Sequence, residues 1–132
     1  IYLEKCARSQ ILYGLNKTYD YIKQNKKCYV AEAEKAPIQL WDMGYRNAVG
    51  TGGKKITKIQ IEKLTRLCVD LVFVFDKDVS KNEIQDIANR FIDGINIYAI
   101  IDDKKILDEK ESPTDNKEKF EYLIKNCIYK IK

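Results

Sequence analysis

Three short apolar runs, separated by helical segments, constrain this chain most. They are Cys28-Tyr-Val-Ala31, Leu71-Val-Phe-Val-Phe75 and Ile95 to Ile101. None contains a charged residue. A strand that is apolar at every position must be covered on both faces, which is the signature of a parallel sheet clad by helices. The intervening segments carry the matching helical signals. Leu15, Tyr19 and Ile22 recur at helical spacing over 15–25. Glu34 to Met43 has Pro37 in its first turn, where a missing N–H is harmless, and Gly44 at its end. Thr57 with Gln60, Ser80 with Glu83, and Asp115 with Glu118 have capping-box spacing. The helices they open carry Ile61-Leu64-Leu67, Ile84-Ile87-Ala88-Phe91 and Phe120-Leu123-Ile124-Cys127. Arg46 to Val49 reads as a short strand ending in the loop Gly50-Thr-Gly-Gly53. Strand and helix therefore alternate, with a final helix, and the expected fold is α/β: a Rossmann-like open sheet of about four mainly parallel strands flanked by helices.

Composition narrows the chemistry. A chain of 132 residues with 45% hydrophobic and 33% charged residues has room for one core and is neither disordered nor a membrane protein. It has no histidine, so Ser-His-Asp and Cys-His catalysis are excluded. The four cysteines, Cys6, Cys28, Cys68 and Cys127, form no CxxC pair, so structural zinc is rejected and they read as small core residues of a reduced compartment. The net charge is only +4, but basic residues cluster at Lys23-Lys26-Lys27 and at Lys54-Lys55-Lys58, as suits a phosphate-bearing partner.

In open α/β sheets, ligands sit beyond the C-terminal ends of the strands. Glu32 follows the first strand and Asp76-Lys77-Asp78 follows the third. Acids placed directly after apolar runs are costly unless they face a cleft or a cation. If the first and third strands are neighbours, Glu32, Asp76 and Asp78 converge. Two such charges about 4 Å apart repel by roughly 4 kcal/mol at an effective dielectric of 20. A hard divalent cation relieves that, and Mg²⁺ favours a few carboxylates plus water and phosphate oxygens.

On these residues the chain resembles the Toprim domain, the catalytic module of bacterial-type (DnaG-type) primases and of type IA and type II topoisomerases. Tyr29-Val-Ala-Glu32-Ala-Glu-Lys-Ala36 resembles the primase segment with the Glu-ended strand. Asn47-Ala-Val-Gly-Thr-Gly-Gly53 resembles the loop after the second strand, and Leu71-Val-Phe-Val-Phe-Asp76-Lys-Asp78 the DxD strand. Leu107 to Asp115 looks like the Lys-Asp-Pro-Asp region that follows the fourth strand. Ala33 and Ala36 stand where the family usually has Gly and Asp, and Val79-Ser80-Lys81 replaces a small-residue segment.

The resemblance implies a single Toprim-like domain over 1–132, a piece of a longer primase-like protein. It implies metal-dependent nucleotidyl transfer, the synthesis of RNA primers on single-stranded DNA. Glu32, Asp76 and Asp78 would be the catalytic and metal-binding residues, with Mg²⁺ or Mn²⁺ as cofactor. Lys35, Lys54 and Lys55 would meet nucleic-acid or nucleotide phosphate. The implied partners are a single-stranded DNA template, nucleoside triphosphates, the parent's other domains and a replicative helicase. The implied setting is the cytoplasm of a bacterial or phage-infected cell, with no membrane. A Toprim nuclease or topoisomerase-like domain, and a non-catalytic nucleic-acid-binding Toprim module, are the alternatives.

Some motifs have plainer readings. Gly50-Thr-Gly-Gly-Lys-Lys55 departs from a P-loop, because Lys55 stands where the hydroxyl belongs. Asp115 is expected to cap the last helix, Asp102 and Asp103 to form a turn, and Trp41 to join the core beside Ile38.

Overall fold

A computed structural model describes residues 11–53 and 55–132. Cys6 and Lys54 therefore lie outside the described residues. Five helices and five strands alternate along them: α1 Leu15–Asn25, β1 Lys27–Ala31, α2 Ala36–Asp42, β2 Ala48–Gly50, α3 Lys58–Arg66, β3 Asp70–Val74, α4 Lys81–Asn89, β4 Ile97–Ile100, α5 Lys117–Asn126 and β5 Ile128–Lys130.

The strands form one sheet in the order β2-β1-β3-β4-β5. β1 pairs in parallel with both β2 and β3, and β3 with β4. The α/β class and the mainly parallel sheet are as expected, but there are five strands, not four. The extra one is β5, antiparallel to β4, with Tyr129 opposite Ala99. The last helix stops at Asn126, and Cys127 caps it in a non-helical conformation (φ −128°, ψ 27°). Ile128-Tyr129-Lys130 is partly exposed, so it lacks the continuous apolar pattern that marks the inner strands.

Two cores flank the sheet. On one face Phe73 stacks on Phe75, with ring centroids 4.9 Å apart, among Ile22, Leu64, Leu71, Phe91 and Ile97. On the other, Phe120 meets Tyr29 and Tyr45 edge-on, beside Leu40, Val72 and Leu123. Side-chain alternation on β3 sends Leu71 and Phe73 to the first face and Val72 and Val74 to the second, which is why the run is apolar throughout.

Helix α1 occupies the expected range, but its buried stripe is Thr18 and Ile22 rather than Tyr19, which is 47% exposed. The capping boxes of α3 and α4 form as read: Thr57 and Ser80 each accept from the backbone N–H three residues on, and Gln60 and Glu83 reach back. The third cap is different. Asn116, not Asp115, caps α5 by accepting from Lys119 N–H at 3.0 Å.

Two further expectations are corrected. Trp41 is half-buried, with Tyr21 edge-on at 5.3 Å, while its neighbour Ile38 is 67% exposed. Helix α2 is a short seven-residue element on which Pro37 and Leu40 face inward, leaving Ile38 on the outer side. Cys28 and Cys127 are buried as expected, but Cys68 is exposed in the loop between α3 and β3, at φ 55°.

Candidate metal centre

The strand order reverses between β1 and β3, because β1 is followed by β2 on one side while the chain returns to place β3 on the other. The crossovers leave that junction uncovered at the C-terminal strand ends. Glu32 follows β1 directly. Asp76 and Asp78 follow β3, one and three residues beyond the buried Phe75. One carboxylate oxygen from each of Glu32, Asp76 and Asp78 lies within 4.8 Å of the other two. The structure thus brings together all three acids singled out in the sequence.

Their environments differ. Glu32 is only 8% exposed, and its Oε1 accepts the backbone N–H of Asp76 at 2.9 Å. This bond ties the end of β1 to the turn after β3. Asp76 and Asp78 are exposed. The donor set fits a hard divalent cation: three carboxylates, one held rigid and two open to water, with no sulfur or nitrogen ligand among the described residues.

The glycine-rich loop supports Glu32 from behind. Thr51 N–H donates to Ala31 O at 2.9 Å and Gly52 N–H to Glu32 O at 2.8 Å. A Cβ on Gly50 would sit 2.6 Å from the Ala33 carbonyl oxygen, so only glycine lets the β2 end approach the turn after Glu32. With the Thr51 and Gly52 N–H groups committed to β1, the loop is a brace for that turn rather than a phosphate cradle.

The lysines named from sequence separate. Lys35, on the turn after Glu32, is exposed and pairs with Asp115 at 3.6 Å. Lys55 is exposed just beyond the glycine loop. Lys77, which sequence reading passed over, lies between the two aspartates. Its Nζ donates to the Leu107 carbonyl at 3.4 Å and to the Asp108 carbonyl, tying the DxD turn to the loop after β4.

That loop is itself built from local bonds. Asp102 accepts from Ile106 N–H and Leu107 N–H, both at 3.0 Å, as expected of a turn former. Asp103 accepts from the Tyr129 hydroxyl, which holds its carboxyl below the usual range and fastens β5 to the turn. Asp115 accepts from Ser112 N–H at 2.9 Å and from Gln39 Nε2 at 3.0 Å. Its carboxyl is held low by the Ser112 N–H first, then by Gln39 and Lys35. Thr114, 3% exposed, donates to Gln39 Oε1 at 2.6 Å. No spacing rule connects Gln39 to residues 112–115, so this tie was not legible in sequence. Beside Asp76 and Asp78 the loop encloses a cleft of about 240 Å³, also lined by Lys77, Glu109, Lys110 and Glu111.

The chain is similar to known primases in sequence and in fold. It is 32% identical over 77 residues, 58% of its length, to a DNA primase of Chlamydia pneumoniae. No family model matches it. A primase domain from Pseudomonas aeruginosa superposes with a TM-score of 0.73 at 24% identity, over 94% of this chain and 40% of that one. The Aquifex aeolicus primase, comprising zinc-binding and RNA polymerase domains, gives 0.73 at 21% identity, over 93% of this chain and 31% of that one. A DnaG catalytic domain bound to single-stranded DNA gives 0.69 at 20% identity, over 94% and 40%. The chain spans 13% of the length of the curated relative it matches. The resemblance to a DnaG-type primase domain, read from Glu32 and the DxD turn, is thus borne out: this chain has the Toprim-like fold of the primase catalytic core, and its acids stand at the strand ends of that fold.

Proposed function

We propose that this chain is the metal-dependent nucleotidyl-transfer domain of a DNA primase, acting in RNA primer synthesis on a single-stranded DNA template. The observation that carries the reading is the convergence of Glu32, Asp76 and Asp78 within 4.8 Å at the switch in strand order. Glu32, Asp76 and Asp78 would hold Mg²⁺ or Mn²⁺. When bound, such a cation neutralises charge on nucleotide phosphates and lowers the pKa of a coordinated water or hydroxyl. Glu32 fixes the turn carrying the aspartates through the Asp76 N–H, so the three oxygens are arranged before any ligand arrives. Glu32 would complete the metal site or act as the base that takes a proton from an attacking hydroxyl. Lys35 and Lys55, exposed on the same strand-end surface, supply positive charge for phosphate, and Lys54 joins them by sequence. The cleft beside the DxD turn receives the nucleotide. Within a longer parent protein, other domains would hold the template, and a replicative helicase is the expected partner.

Among the described residues no helix is long and apolar enough to cross a membrane. A bacterial or phage-infected cytoplasm is the setting this reading implies.

Metal binding is tested on the purified chain by thermal melting with and without Mn²⁺. A cation that binds the native cluster stabilises it by about 2.7 kcal/mol at a hundred times its dissociation constant. That corresponds to a rise in Tm on the order of 10 °C. Asp76→Asn and Asp78→Asn abolish the rise, whereas Asp20→Asn on the exposed face of α1 keeps it. Primer synthesis by the parent protein should fall at least a hundredfold with either site variant. An unchanged Tm in millimolar Mn²⁺ would rule out the metal centre and the proposed chemistry with it.

A further inference from the structure

At the other end of the strands lies a second cavity, of about 510 Å³, whose lining includes Tyr21, Lys27, Tyr29, Tyr45, Arg46 and Asn47. Lys27 opens β1 and Asn47 immediately precedes β2, so the cavity is separated from Glu32 by the length of β1, roughly 16 Å at 3.3 Å per residue. None of its residues belongs to the carboxylate centre.

Its groups are arranged for a ligand that is both anionic and planar. The Arg46 guanidinium lies 4.9 Å from the Trp41 ring centroid and 5.8 Å from that of Tyr21. Two rings hold it, and no carboxylate among the described residues pairs with it. A guanidinium stacked in this way keeps its fork of N–H donors for a phosphate. Lys27 is likewise without an acid partner among the described residues, its Nζ 6.0 Å from the Tyr29 ring centroid. Tyr29 is 6% exposed as a residue and lines the cavity, where its hydroxyl can serve a ligand. Asn47 spends its amide N–H on the Lys27 carbonyl at 3.0 Å, which leaves its side-chain oxygen as an acceptor. Two acids stand at the margin: Asp70, opposite Lys27 in register, accepts from Asn96 Nδ2 at 3.2 Å, and Glu121 accepts from the Tyr45 hydroxyl at 3.0 Å; burial together with the Glu121 carboxylate pushes Tyr45 up to about 12. Tyr45 therefore stays neutral and presents a ring, not a charge.

We propose that this cavity binds a nucleotide unit, with phosphate on Arg46, Lys27 and the Tyr29 hydroxyl, and the base against the Tyr21 and Tyr45 rings. Base–aromatic stacking beside basic residues is how single strands are held without sequence preference. The unit comes either from within a single-stranded polynucleotide or from a free nucleoside triphosphate, which share this chemistry. The site does not depend on the carboxylate centre and goes beyond the function proposed above.

The only tryptophan of the chain, Trp41, packs against Arg46 and reports occupancy directly. In EDTA, oligo(dT) and ATP are titrated separately while Trp41 emission is followed, and affinities are measured by anisotropy of the fluorescein-labelled forms. A saturable change in emission is expected. Arg46→Gln should weaken binding at least tenfold, and Tyr29→Phe, which keeps the ring, about threefold. For oligo(dT) the slope of log affinity against log salt should become shallower by about 0.7 in Arg46→Gln, the loss of one phosphate contact. Tighter binding of oligo(dT) than of ATP assigns the site to a polynucleotide, and the reverse order to a free nucleotide. EDTA keeps any cation off the carboxylate centre, so failure of the metal centre leaves this result untouched. The proposal is overturned if neither probe binds saturably, or if Arg46→Gln and Tyr29→Phe both bind as wild type.

Discussion

Glu32 combines two roles that substitutions can separate. Its Oε1 accepts the Asp76 N–H at 2.9 Å, and its charge contributes to the carboxylate cluster. Glu32→Gln keeps an acceptor oxygen of the same reach and removes only the charge. Its metal-free Tm should stay within about 2 °C of wild type while the Mn²⁺-induced rise is lost. Glu32→Ala removes the acceptor as well and leaves a partly buried N–H unsatisfied, which costs about 1–3 kcal/mol. Its metal-free Tm should fall by several degrees. Equal metal-free melting of the two variants would show that the bond to Asp76 N–H contributes nothing. Both residues were legible in sequence as acids after apolar runs. The bond between them was not, since it joins positions 44 apart.

Among the elements, α5 and the loop before it show how near neighbours divide the work. Asn116 caps the helix, and Asp115 fastens the loop to Ser112, Gln39 and Lys35. Asn116→Ala should cost about 1 kcal/mol by removal of the cap, measured by urea denaturation. The Asp115, Glu111 and Asp103 carboxyls are all held below their ordinary range, by the Ser112 N–H, by Lys119 and by the Tyr129 hydroxyl respectively. Groups with depressed folded values bind protons more readily in the unfolded chain. Their contribution is complete above the ordinary carboxylate range, about pH 4, and is lost as pH falls through the lower folded values. Tm should therefore be flat between pH 7 and 5 with respect to these groups and fall below pH 4. Asp115→Asn should make that acid fall shallower. A steeper fall in Asp115→Asn would contradict the assignment. Sequence spacing located this helix to within two residues but put the cap one position early, because Asp115 and Asn116 are both good capping residues. The choice between them depends on Gln39, which only the packing of α2 brings near.

For the whole molecule, β5 closes an edge of the sheet that would otherwise be β4. Ile128 to Lys130 pairs with Ile100 to Tyr98, and Ile131 N–H and Lys132 N–H both donate to the Ile97 carbonyl. A chain ended at Asn126 should expose an apolar parallel-sheet edge and aggregate, which light scattering at increasing concentration will detect. A truncated chain that stays monomeric with an unchanged Tm would show that β5 is dispensable.

The inner strands, the helices over 15–25, 57–67 and 80–91, and the acids at the strand ends were determined by the sequence itself. Hydrophobic burial and capping are local in their demands, and a run such as Leu71 to Phe75 can satisfy them in few other ways. The tertiary structure alone decided that β5 follows α5, that Cys68 and Ile38 face water, and that Gln39 grips the 112–115 loop. It also decided that Arg46 settles against Trp41 and Tyr21. These depend on pairings between half-exposed residues distant in the chain, where no periodic pattern in the sequence distinguishes one partner from another.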